Sequence, residues 1–328
     1  MDIDVKLHVN VELATREVWK KVADVMKAGG FWDLIMKSGP ELDRVKTYLN
    51  ILDGTEEDVR SKNDPYTQAR SWIMPIFPGL QHYPFRDPKD YEWVPMLESK
   101  WEALREEGLK VNGFFTPSAV ESLHQGGRWM QGNISAFGSK LPEEAFQGLV
   151  PKVALDLGDE LPGFACYNGH PFGHYLYSVM EPGIHLPAHT SSDNLKIRAH
   201  LGLIIPENCR IKVGHEERNW EEGKVLVLED SLLHEVWNDS DSERMVLIVD
   251  FWHPDLTRVE VDALSAGLGK WEIRRLLAPA RNIPQEMVNG LTRLFKWEEK
   301  DDPTVRGYWP DHAEIQMADG SAPDQPAS

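Results

Sequence analysis

Apolar residues recur at helical spacing through the first part of the chain. Val11, Val18, Val22 and Met26 mark one face of a segment over 11–28, and Gly29 with Gly30 supplies its stop. A second helix is expected over 41–52. Leu97, Trp101 and Leu104 follow at i, i+4 and i+7 ahead of Gly108, predicting a third helix whose apolar face lies on a sheet. From about Tyr175 the pattern changes to short β-branched and aromatic runs: HYLYSVM, RAHLGLII, CRIKV, KVLVL, HEVW and MVLIVDFW. Pro182-Gly183, Pro206-Glu207-Asn208, Glu222-Gly223 and Asn238-Asp239-Ser240 punctuate them as turns. Short strands without long intervening helices predict an antiparallel sandwich or barrel. After Pro254 helical periodicity returns, over 264–277 and again over 287–297. The expected fold class is therefore an all-β core flanked by N- and C-terminal helices. Its expected division is a helical region over 1–77, a β domain with supporting helices over 78–256, a helical extension over 257–317, and a disordered tail over 318–328.

Composition narrows the setting. With 328 residues, 41% hydrophobic and 27% charged, the chain can bury a substantial core. Thirty-five Lys and Arg stand against 53 Asp and Glu, a formal charge of −18, so nucleic acid is not an expected partner. No apolar run approaches the roughly 20 residues of a membrane span, so no membrane partner is expected. Met1 to Leu13 lacks the cationic start and apolar stretch of a signal peptide, and the expected location is cytoplasmic. Cys166 and Cys209 have neither disulfide-framework nor zinc-site spacing and read as free thiols. Oligomeric state stays open.

Among the 12 histidines most are expected on surfaces or in turns. His189, after the Pro182-Gly183 turn and a strand-like run, and His234, opening HEVW, stand out. Two imidazoles suit Fe(II), Zn or Cu alike. Arg244, one strand beyond His234, sharpens the choice, because a guanidinium grips a carboxylate bidentately, as a 2-oxoglutarate cosubstrate requires. His185, four residues before His189, shares its face in a regular strand and is the rival ligand. Asp193, four residues after His189, is a further candidate ligand if Ser191 and Ser192 turn the chain toward the metal. Arg198 and His200, two apart, share a strand face and can both point inward, although Arg198 can instead pair with an acid. His174, His215 and His253 read as turn or structural residues, and Trp220, Trp237 and Trp252 as packing.

The blocks PGxHxxxH, RAHLGL, EEGK, DS-x-x-HEVWN, R-x-x-L-I-x-D and WHP-x-L occur here in one order. Together they resemble the aspartyl/asparaginyl β-hydroxylase family, Fe(II)- and 2-oxoglutarate-dependent oxygenases built on a double-stranded β-helix, a jelly-roll of cupin type. The resemblance covers roughly residues 78–256. It implies His189 and His234 as iron ligands, Arg244 as the clamp on the distal carboxylate of 2-oxoglutarate, and Ser178 as its supporting hydroxyl. It also implies His200 beside the keto acid, Arg198 on a substrate carboxylate, and O2 as the oxidant. Ser191 stands where many non-haem oxygenases carry a carboxylate ligand, and the animal members of the family also lack a carboxylate there. Residues 1–75 show no 34-residue helical-repeat period, and Lys196 stands beside Arg198. A small carboxylate-bearing substrate, such as a free or carrier-linked amino acid, is therefore expected. The alternatives are peptidyl Asp or Asn hydroxylation, oxidative cyclisation or desaturation in a specialised pathway, and keto-acid binding by a cupin-like protein without turnover.

Overall fold

The computed structural model describes residues 3–58, 74–118 and 127–277. The expected helix over 287–297 and the tail over 318–328 lie outside them. The chain divides into two compact units. One takes Met1–Arg60, Ile73–Leu80 and Asp255–Ser328, the other Ser61–Trp72 and Gln81–Pro254.

The first unit is helical. Helices α1 (Ile3–Ala28), α2 (Phe31–Met36) and α3 (Asp43–Asp53) join α7 (Arg258–Leu268) and α8 (Trp271–Leu277). The segments read from sequence as separate N- and C-terminal regions thus share one core, with Val22, Met26, Phe31, Tyr48, Phe77, Leu264 and Ile273 all buried. A Thr257–Glu260 capping box starts α7. Glu260, 2% exposed, also accepts Arg44 Nε at 2.7 Å, tying α3 to α7.

The second unit carries the β-structure. Its helices are α4 (Trp93–Ser99), α5 (Trp101–Val111) and α6 (Lys152–Glu160). Its strands are β1 (Phe85–Arg86), β2 (Thr116–Pro117), β3 (Trp129–Asn133), β4 (Ser135–Ala136), β5 (Ser139–Lys140), β6 (Tyr175–Met180) and β7 (Ile184–His189). They continue with β8 (Lys196–Ile204), β9 (Cys209–Val213), β10 (Glu216–Asn219), β11 (Val225–Leu228), β12 (His234–Asn238) and β13 (Arg244–Trp252). Seven strands form one antiparallel sheet in the order β1-β11-β8-β13-β6-β3-β2, and four form a second, β10-β9-β12-β7. From β6 to β13 the chain passes back and forth between these sheets, which is the winding of a double-stranded β-helix. The protein is a cupin-like jelly-roll with flanking helices.

Alternate residues of both sheets meet in one core: Leu176, Met180, Ile184, Leu186, Ile211, Val213, Leu228, Val236, Val246 and Ile248. The other face of the larger sheet is also buried, because helices of the same unit cover it. That explains why β6 and β13 read as continuous apolar runs rather than alternating ones. Gly108 does not end the third expected helix. It lies within α5, where an added Cβ would meet the Tyr177 ring and Met245 Sδ at 2.9 and 3.0 Å. The break falls earlier, at Lys100, between α4 and α5.

Candidate functional site

His234 and His189 are directly paired across β12 and β7, yet Val236 pairs Leu186. One extra residue on β7 therefore opposes β12, a β-bulge that reverses the alternation between Leu186 and His189. Pro187, which has no N–H to give, sits in this bulge on an edge strand. Ile184 and Leu186 face the core before the bulge, and His189 does so after it. His185 consequently leaves the inner face, contrary to the expectation that four-residue spacing keeps it beside His189. It stacks on Trp237 with rings 7° from parallel, and its Nε2 lies 2.6 Å from Glu235.

The His189 and His234 ring centroids are 4.2 Å apart. Each Nδ1 is tied to the carbonyl two residues earlier, Pro187 O at 2.8 Å and Leu232 O at 2.9 Å. Such bonds fix each ring with Nδ1–H, leaving Nε2 as the lone-pair nitrogen. Burial lowers both pKa values, and for His234 the neighbouring His189 adds to the effect, so both rings are held neutral as ligands must be. His234 is buried while His189 is partly open.

Across the core lies Arg244, 2% exposed. Its Nη2 contacts Met180 Sδ at 2.7 Å and its Nη1 reaches Ser178 Oγ at 3.4 Å, while Nε has no partner. Trp129 Nε1 donates to the same Ser178 Oγ at 3.0 Å. No carboxylate meets this guanidinium among the described residues, and burial pulls its pKa down to about 10. A buried cation without an anion is expensive unless something supplies one. His200, also buried, leaves Nε2 without a partner. These donors fit an anionic oxygen ligand beside a two-histidine metal position.

Arg198 is placed differently from its expected role. Its Nε and Nη2 hold Asp250 at 2.7 and 2.8 Å, and its Nη1 lies 2.9 Å from Asp230. Lys196 Nζ binds both Asp230 oxygens at 2.7 Å. Two cations and two anions therefore balance inside the barrel, and His174 joins them through its ring and backbone N–H. Burial alone would raise the Asp250 carboxyl, but Arg198 and Lys196 hold it far below the carboxylate range. Asp230 and Asp250 escaped the sequence reading. The available signal was a lone acid inside the apolar run MVLIVDFW, which a doubly buried strand tolerates only with a partner.

Asp193 is fully buried and faces away from a ligand role. Its Oδ1 accepts the Leu195 backbone N–H at 2.9 Å and lies 3.3 Å from His170 Nε2. Among the described residues His82, Glu229 and His253 also bring three ligating atoms within 4.8 Å of one another. There, however, Arg86 Nε donates to Glu229 at 2.8 Å and Arg86 Nη2 lies 3.1 Å from His253 Nε2. The guanidinium already supplies the positive charge a metal would bring. Burial raises the Glu229 carboxyl, and His253, His82 and Arg86 outweigh it, holding the pKa at about 2.

A cupin-like barrel with a histidine pair, and an arginine that meets no carboxylate among the described residues, offers the donor set a metal-dependent oxygenase would use. Residues 98–254 match the family model described as Aspartyl/Asparaginyl beta-hydroxylase. Through this segment, just under half of its length, the chain is similar to that family. An "Aspartyl/asparaginyl beta-hydroxylase" of Mus musculus is 41% identical over 196 residues, covering 57% of this chain and 26% of that protein. The Homo sapiens protein of the same name is 40% identical, with 57% and 25% covered. The chain thus spans about a quarter of the length of these relatives. An "Ornithine lipid ester-linked acyl 2-hydroxylase" of Rhizobium tropici is 32% identical over 186 residues, 53% of this chain and 62% of that protein. Among solved structures, a Pseudomonas putida prolyl-4-hydroxylase overlaps with TM-score 0.31 at 17% identity, over 48% of this chain and 87% of that one.

Proposed function

We propose that the β-unit is a 2-oxoglutarate-dependent Fe(II) oxygenase that hydroxylates an unactivated carbon, with a peptidyl aspartyl or asparaginyl side chain as its substrate class. The observation that carries this reading is Arg244, a buried guanidinium that meets no carboxylate among the described residues, in the same barrel as a histidine pair whose Nδ1 atoms are already engaged. In this reading His189 and His234 hold iron through Nε2. Arg244 and Ser178 receive the distal carboxylate of 2-oxoglutarate, and His200 donates to its other end. Iron and 2-oxoglutarate, when bound, supply the activation of O2, with the keto acid converted to succinate and CO2. The protein's share is to fix the rings, exclude water with the apolar core around Val236, Val246 and Ile248, and aim one C–H bond.

The peptidyl class is favoured over a small carboxylate-bearing substrate on two grounds. Arg198 and Lys196 are matched by Asp250 and Asp230, which removes the reason to expect carboxylate capture there. The mammalian relatives are also named for aspartyl and asparaginyl hydroxylation. A second reading, oxidation of an acyl chain, draws on the Rhizobium tropici relative, which this chain matches over 62% of its length.

Mass spectrometry after incubation with iron, 2-oxoglutarate and O2 separates these readings. The substrates are an Asp- and Asn-containing peptide set, free amino acids and an ester-linked acyl lipid. The expected result is one added oxygen on a peptidyl Asp or Asn. An oxygen on a free amino acid or an acyl chain alone transfers the reading to those classes, loss of two hydrogens points to cyclisation or desaturation, and keto-acid binding with no succinate overturns the enzyme.

A further inference from the structure

Trp220 touches both donors that the keto-acid reading requires. Its Nε1 donates to His200 Nδ1 at 3.3 Å, and the two rings lie 24° from parallel with centroids 5.9 Å apart. The Arg244 guanidinium carbon sits 4.8 Å from the centroid of the same indole. Trp220 is 3% exposed. It is delivered by the turn between β10 and β11, which seats against β8 where Gly202 presents no side chain. Gly223 N–H bonds Gly202 O at 2.9 Å, Gly202 N–H bonds Lys224 O at 3.0 Å, and an added Cβ would strike the Glu221 carbonyl oxygen. The turn is therefore registered two residues from His200.

An indole N–H can only donate. His200 Nδ1 must then accept, which places the proton of the neutral ring on Nε2, the atom left without a partner inside the core. Its pKa lies well below the ordinary histidine value, first through burial and then through Arg198 and Arg244, so the ring is neutral. The same indole face gives the buried guanidinium a cation–π contact that stands in part for its missing anion.

We propose that Trp220 is a positioning residue for the keto acid: its N–H sets His200 as the Nε2–H donor, and its ring face holds Arg244 so that both present their unused N–H groups to one dicarboxylate. This rests on the 2-oxoglutarate reading above.

The test uses the full chain with Trp220→Phe, which keeps a ring for Arg244 and removes the indole N–H, and Trp220→Leu, which removes both. Long-range 1H–15N NMR of the metal-free protein reports the His200 tautomer. Anaerobic calorimetry with Mn(II) and 2-oxoglutarate reports affinity. Wild type is expected to show Nε2–H alone. W220F is expected to populate Nδ1–H and to bind 2-oxoglutarate about ten-fold more weakly, and W220L to weaken it several-fold further. A W220F protein with an unchanged tautomer and unchanged affinity overturns the proposal, even if W220L does not fold. If wild type binds no 2-oxoglutarate, the cosubstrate reading fails, and the positioning role toward that acid fails with it. In that outcome the tautomer shift in metal-free W220F still decides whether Trp220 orients His200.

Discussion

At the scale of single residues, the site separates groups already matched from groups awaiting a partner. Arg198 and Arg244 are both buried, yet Arg198 faces two carboxylates and Arg244 meets none among the described residues. Opposite mutational signatures follow. Arg198→Met strands Asp230 and Asp250, and thermal denaturation is expected to show a loss of about 3–5 kcal/mol. Arg244→Met removes a cation that the fold leaves uncompensated, so stability is expected to hold or rise while 2-oxoglutarate affinity is lost. An R244M protein that unfolds like R198M contradicts this distinction. Replacing His189 by Ala is expected to abolish metal-dependent O2 consumption with the fold intact. His185→Ala, on the outer face beside Trp237, is expected to leave it largely unchanged, as an oxygen electrode can show.

Elements explain how much of this was readable in the sequence. Strands β6, β8, β9, β11, β12 and β13 announced themselves as β-branched and aromatic runs between turn residues, and the ordered motifs pointed to His189, His234, Arg244 and Ser178. The bulge in β7 was not legible, because bulges depend on what the partner strand presents, and spacing alone placed His185 and His189 on one face. The partners of Arg198 were hidden for a related reason. Asp230 follows β11 and Asp250 lies in β13, so only folding brings these acids to Arg198 in β8. Trp220 looked like packing because its two contacts come from β8 and β13, both distant in the chain. In the helical unit the Arg44–Glu260 pair joins segments more than two hundred residues apart, |i−j| = 216, which no local pattern reveals. Arg44→Ala leaves Glu260 buried with less compensation, and a loss of about 3 kcal/mol is expected by chemical denaturation.

For the molecule as a whole, the formal charge is −18, and the buried carboxylates Asp230, Asp250 and Glu229 of the β-unit are each held by cations. That arrangement makes stability sensitive to acid. The Glu229 carboxyl has a folded-state pKa of about 2 against an ordinary 4.5, so its contribution is complete above about pH 4.5 and is lost as pH falls through about 2. The amount involved is about 3 kcal/mol. Glu229→Gln should flatten that part of the acid-denaturation curve, and an unchanged curve would show that Arg86, His82 and His253 do not hold the carboxylate. The winding of β6 to β13 through two sheets brings His189, His234 and Arg244 into one barrel, and the proposed chemistry depends on that convergence. Succinate released from 2-oxoglutarate by the folded, iron-loaded chain under O2 tests it most directly. Steady release by wild type and none by His234→Ala is the expected result; equal release by both, or none by wild type under any substrate, contradicts it.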